Sequence, residues 1–184
     1  MADQQADAWA NAAAYESYIG RWSRLVAPEF LRWLDIPGDS DWLDIGCGTG
    51  ALTQTILQNA LPRTITSIDQ SDTFVTYARQ QIADDRVTFH TSDAQAMPFD
   101  NDSYDAAVSG LVLNFIAQPD RALREMKRVI RPGGMVGVYV WDYAAKMQMT
   151  RHFWNAAVAL DPAAHDLDQG RRFPICNPEA LEKQ

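Results

Sequence analysis

The sequence predicts an α/β domain built on a doubly wound, mostly parallel sheet. From Trp42 onward short apolar runs alternate with segments of helical period, and glycines or prolines punctuate most of the boundaries. The first apolar run also stops at a glycine-rich loop that leads straight into a helix. Strands separated by helices pair in parallel and have both faces covered. A chain of 184 residues is long enough for one domain with a real core and too short for two ordinary ones.

Taken in order, residues 8–34 have the pattern of a helix, with Trp22, Val26, Phe30, Trp33 and Leu34 near one face and Pro28 placed to break or restart it. Ile36-Pro37-Gly38-Asp39-Ser40 is turn chemistry, and Trp42-Leu43-Asp44-Ile45 reads as a buried strand. A helix over 51–60 follows the glycine loop, and a second strand spans 64–68. Ser71 caps a helix reaching about Ala83, with Phe74, Val75, Ala78 and Ile82 inward. A third strand covers 86–90 and a fourth starts at Tyr104, running toward Leu113. Pro119 opens a helix with Leu123, Met126, Val129 and Ile130 inward; Pro132-Gly133-Gly134 stops it, and 135–140 is the fifth strand. Thereafter the alternation ceases. Residues 144–160 read as a helix, a loop rich in Asp, Pro and Arg follows, and Pro178 starts a last helix.

Composition narrows the function classes. A hydrophobic fraction of 47% with 22% charged residues belongs to a globular protein. The net charge of -8 repels phosphate backbones, so no nucleic-acid partner is expected. The nearest basic cluster, Arg121, Arg124, Lys127, Arg128 and Arg131, has helical spacing and reads as a solvated face. Cys47 and Cys176 lie in unlike contexts without metal-ligand spacing, so neither zinc nor a disulfide framework is expected. No run is apolar enough to span a membrane, and the acidic first residues lack the apolar stretch of a secretory signal. The expectation is a reduced, cytoplasmic protein.

The candidate site lies at the ends of the first three strands. The loop reads Gly46-Cys47-Gly48-Thr49-Gly50 with Asp44 just before it, a spacing unlike the dinucleotide fingerprint G-x-G-x-x-G. A carboxylate there opposes a pyrophosphate and suits a ligand carrying an ammonium group. Asp69 ends the second strand about twenty residues on, where an acidic residue accepts bonds from ribose hydroxyls; read alone, it is a helix cap. Asp93, after the third strand, is either the partner of an adenine amino group or an ordinary loop aspartate.

Five stretches resemble one family together: 43–50, Ile68-Asp69-Gln70-Ser71, Ser92-Asp93-Ala94 with Met97-Pro98-Phe99, Tyr104-Asp105, and 125–134. In that order and spacing the chain is similar to the class I S-adenosylmethionine-dependent methyltransferases of the small-molecule methyltransferase-domain type. The resemblance covers roughly residues 15–142. It implies a Rossmann-like sheet of order 3-2-1-4-5, an N-terminal helical lid over 1–40, a cofactor-binding core over 41–142, and a helical tail over 143–184. It implies S-adenosylmethionine as cofactor, S-adenosylhomocysteine as product and a small molecule as methyl acceptor. Asp44, Gly46, Cys47 and Gly48 would lie against the methionine part, Asp69 and Gln70 against ribose and adenine, and Asp93 and Ala94 against adenine. Ser109 and Gly110 would lie near the donor methyl, and Tyr18 and Arg21 would close over the methionine carboxylate; their other reading is helix packing and a surface charge.

The chain departs from the family in two places. Asn114-Phe115 stands where many relatives carry a Glu-His or similar pair after the fourth strand. No strand pair follows the fifth strand, so strands six and seven are expected to be missing and the chain reads as truncated. The bare fifth strand is then expected to pair with a second copy or to be covered by the 144–160 helix. Methyl transfer from a sulfonium relies on positioning more than on acid or base help, so no catalytic residue is certain. Asp142, just past the fifth strand, is the candidate to orient or deprotonate an acceptor, against an ordinary loop carboxylate. Phe153 and Trp154 are candidates for an acceptor pocket or for core packing.

Overall fold

The computed structural model describes residues 20–183. Five strands form one parallel sheet in the order β3-β2-β1-β4-β5. They are β1 Asp41–Ile45, β2 Thr64–Asp69, β3 Val87–Thr91, β4 Tyr104–Gly110 and β5 Ile130–Tyr139. The helices are α1 Arg21–Leu34, α2 Ala51–Asn59, α3 Asp72–Gln81, α4 Pro119–Val129, α5 Gln148–Leu160, α6 Gln169–Arg172 and α7 Pro178–Leu181.

β1 is central and all five of its residues are buried, as a strand covered on both faces requires. Successive side chains go to opposite faces. Trp42 joins Ala27, Phe30, Leu31 and Leu34 of α1 and Leu52 and Ile56 of α2 on one side. Leu43 and Ile45 join Met126 and Val129 of α4 on the other. Ser71 caps α3 as expected, its Oγ accepting from the N–H of Phe74 at 3.4 Å.

Three elements differ from expectation. α1 runs unbroken through Pro28, and its inward face is Ser23, Ala27, Phe30, Leu31 and Leu34. Trp33 is 74% exposed, and Trp22 and Val26 also face outward. The reason is a close approach to the sheet: a Cβ at Gly137 of β5 would stand 2.7 Å from Leu34 Cδ2 and 3.0 Å from Phe30 Cζ. Tryptophans do not fit so narrow a gap. β5 begins at Ile130, not Met135, because Ile130 already pairs with Tyr104 before the register shifts between Tyr104 and Ala106. The extra residues 131–134 form a bulge over β4, in which a Cβ at Gly134 would come within 2.6 Å of the Asp105 carbonyl.

The third difference is the tail. α5 starts at Gln148, not Ala144, and buries none of its residues; Leu160 is 89% exposed. It packs on the 3-10 turn Pro162–Leu167 and is tied to α6 by Trp154 Nε1–H donating to Gln169 Oε1 at 2.7 Å and by the Arg151–Asp168 ion pair. It therefore leaves β5 uncovered. Residues 166–176 form no strand either. Ile175 and Cys176 tuck beneath Leu113, Ala122 and Tyr143. Among the described residues no sixth or seventh strand exists, and β5 remains a sheet edge with Met135 44% exposed.

Candidate functional site

β1 ends at Ile45, and the chain turns through Gly46, Gly48 and Gly50 with φ of +74°, +53° and +89°. These are left-handed values that glycine adopts without steric cost. The N–H groups of Gly46 and Cys47 both donate to the Ile68 carbonyl, at 2.8 and 2.9 Å, and that of Gly50 to the Cys47 carbonyl at 2.8 Å. Gly48 N–H donates to Asp69 Oδ2 at 3.0 Å. Four of the loop's donors are thus spent inside the protein. A pyrophosphate cradle needs such donors free, so the geometry speaks against a dinucleotide.

Beneath the loop, Asp44 is fully buried. Thr53 Oγ1 of α2 donates to its Oδ2 at 2.6 Å, and Ser67 Oγ of β2 lies 2.9 Å from the same Thr53 hydroxyl. Asp44 Oδ1 has no partner. Burial pushes the Asp44 carboxyl up to about 7; the Thr53 hydrogen bond opposes that rise and the negative charge of Asp69 adds to it. A buried carboxylate with one open oxygen is matched by a cation that donates hydrogen bonds. The methionine ammonium of S-adenosylmethionine has that chemistry.

Asp69 Oδ1 accepts from Ser71 N–H at 2.8 Å, while Oδ2 takes Gly48 N–H. Burial raises its carboxyl above the usual range, and the Ser71 and Gly48 hydrogen bonds pull the other way. A carboxylate offers about four lone-pair positions. Two are used here, which leaves capacity for a pair of ribose hydroxyls. Gly48 faces open space, with nothing within 4 Å of a Cβ built on it. Gly46 does not: its missing Cβ would stand 2.5 Å from Val112 Cγ1, so a side chain there meets protein before ligand.

The remaining expected residues divide. Gln70 is exposed beside Asp69, and Ala94 is half-buried at the margin of two core clusters. Asp93 Oδ1 accepts from the backbone N–H of Gln95 at 2.9 Å and from its Nε2 at 3.0 Å, which orders the 93–96 turn. Cys47 is buried, and burial drives its thiol well above the ordinary value. The Ser109 hydroxyl donates to the Ile45 carbonyl at 2.8 Å, joining β4 to β1, so its one donor is already used. Arg21 stacks its guanidinium 4.9 Å from the Trp22 ring centroid, and Tyr18 lies outside the described residues. Asp142 Oδ1 accepts from Ala145 N–H at 2.9 Å, closing a turn. Phe153 is exposed and Trp154 half-buried, so neither packs in the core.

The basic run is a solvated face only at Arg121, Arg124 and Lys127. Arg128 donates to the carbonyls of Phe99 at 2.7 Å and Met97 at 3.1 Å and pairs with Glu125. Arg131 reaches Asp105 at 2.7 Å and Asp41 at 3.1 Å. Sequence reasoning missed Thr53, Ser67 and Val112. A threonine at the fifth residue after Gly48 is the one signal that places a hydroxyl over the strand.

Residues 43–138 match the family described as methyltransferase domain. The chain is 30% identical over 181 residues to a malonyl-[acyl-carrier protein] O-methyltransferase of Pectobacterium atrosepticum, covering 90% of this chain and 70% of that one. It is 36% identical over 93 residues to the rice chloroplastic 2-methyl-6-phytyl-1,4-hydroquinone methyltransferase 2, covering 50% of this chain and 27% of that one. Among solved structures, the [4+2]-cyclase SpnF superimposes with a TM-score of 0.58 at 32% identity, over 62% of this chain and 43% of that one. The chain spans roughly a quarter to two fifths of the length of several curated relatives it matches. With its sheet order, its glycine loop and these matches, the chain belongs to the methyltransferase-domain family of class I S-adenosylmethionine-dependent methyltransferases.

Proposed function

We propose that this chain binds S-adenosylmethionine and transfers its methyl group to a small-molecule acceptor. The observation that carries the reading is buried Asp44, with one open oxygen beneath a loop whose own donors are already used. Asp44, Gly46, Cys47 and Gly48 take the methionine part, and Asp69 with Gln70 takes the ribose and the adenine edge. Asp93 and Ala94 meet the adenine, and the backbone at Ser109 and Gly110 borders the reacting end. Tyr18 and Arg21 act from the 1–40 lid, the 41–142 core holds the cofactor, and Asp142, just past the fifth strand, is the group to orient or deprotonate an acceptor. Bound there, the cofactor supplies an activated methyl group on a sulfonium, and the protein's contribution is alignment and exclusion of water.

The reading includes a cytoplasmic setting, no nucleic-acid partner, and pairing of β5 with a second copy. Among the described residues no helix is long and apolar enough to cross a membrane. The alternative is a truncated S-adenosylmethionine-binding module without catalytic activity, and the absence of a sixth and seventh strand among the described residues is the feature that favours it.

Calorimetry decides the cofactor. S-adenosylhomocysteine is expected to bind and NAD to give no heat. Loss of hydrogen bonds to a charged acceptor costs about 1.5–3 kcal/mol each, so Asp69→Ala weakens binding at least tenfold. Unchanged affinity in Asp69→Ala removes the ribose role.

A further inference from the structure

The loop after β4, residues 111–116, carries three features that cofactor binding leaves unexplained. Leu111 sits at φ +64°, a left-handed conformation that costs energy for a side-chain-bearing residue. Val112 lies directly over Gly46, so this loop is packed against the cofactor loop. Asn114 is only 8% exposed, and neither its Oδ1 nor its Nδ2 has a hydrogen-bond partner. Folded proteins rarely leave even one buried polar atom unpaired, and here both ends of one amide are open.

An amide donates through Nδ2 and accepts through Oδ1. A neutral hydroxyl satisfies both atoms, since its oxygen accepts and its hydrogen donates. A carboxylate would leave Oδ1 facing negative charge, and an ammonium would leave Nδ2 unused. The next residue, Phe115, is partly exposed and meets Phe173 edge-to-face with ring centroids 5.2 Å apart. An exposed aromatic surface beside a hydroxyl-matching amide suits a flat ring that bears the hydroxyl. We propose that Asn114 recognises the hydroxyl of a phenolic acceptor and seats it against the glycine loop. This rests on the methyltransferase reading above.

The test uses the full chain saturated with S-adenosylhomocysteine, under anaerobic conditions, with 2-methyl-1,4-hydroquinone and its dimethyl ether as probes. The intact protein is expected to bind the hydroquinone at least tenfold more tightly than the ether. Asn114→Leu erases that preference, keeps S-adenosylhomocysteine affinity within twofold, and raises Tm by about 2–4 °C because the orphaned amide is gone. A lowered Tm, or a variant that fails to fold, makes Asn114 structural and overturns the proposal. So does a preference that survives in the variant, or an intact protein that does not distinguish the probes. Failure of the intact protein to bind S-adenosylhomocysteine strikes the cofactor reading instead.

Discussion

Asp44 is a carboxyl group placed where water does not reach, and its proton is correspondingly hard to remove. Its ordinary value of 3.8 rises to about 7 in the folded chain. A group whose folded value is raised contributes its stability below its unfolded value and loses it as pH climbs through the folded one. For Asp44 that window runs from about pH 4 to pH 7, and the loss is on the order of 4 kcal/mol. The ligand-free protein is therefore expected to melt lower at pH 8 than at pH 5, and Asp44→Asn to flatten that slope in thermal melts. Parallel curves for the two proteins would show that the charge of Asp44 is not strained. Asp44, the three glycines and Asp69 were legible in the sequence because backbone sign and ligand charge each demand one residue type at one place. Thr53 and Ser67 were not, since a small polar residue in a helix or strand has many ordinary uses and only folding shows which hydroxyl meets the buried carboxyl.

Among the elements, the strands near the glycine loop are pinned from their other end. Arg63, which precedes β2, and Arg131 of β5 clamp Asp41 of β1 and Asp105 of β4. The Arg63 hydrogen bond is the largest influence holding the Asp41 carboxyl down at about 2. The strands and the helices between them were legible from period and from the glycines and prolines that punctuate it, apart from the early start of β5. The inner face of α1 was not, because Gly137 on a distant strand decides which side chains fit beneath it. Nor was the tail, whose apolar residues suggested a cover for β5. The helix instead stands off the sheet, and Met135 and Val136 remain exposed on an edge that carries no charge from Pro132 to Tyr139. Light scattering is expected to show a dimer, and Val136→Lys on that edge a monomer. A wild-type chain that is monomeric at all concentrations rules out pairing through β5.

For the whole molecule, the strand order reverses direction at β1, with β2 on one side and β4 on the other. Ligands of open parallel sheets bind outside the carboxyl ends of the strands at such a point. The glycine loop leaves β1 there, Asp69 ends β2, and residues 111–116 leave β4, while the Asp41–Arg63–Asp105–Arg131 clamp occupies the opposite end. That separation gives the central claim a direct test in amide shift changes as S-adenosylhomocysteine is titrated into the protein. The largest shifts are expected at Gly46 to Gly50, at Asp69 and Gln70, and at Asp93 to Gln95, with Asp41, Arg63, Asp105 and Arg131 unmoved. Shifts centred on the clamp, or none at saturating ligand, would contradict the account.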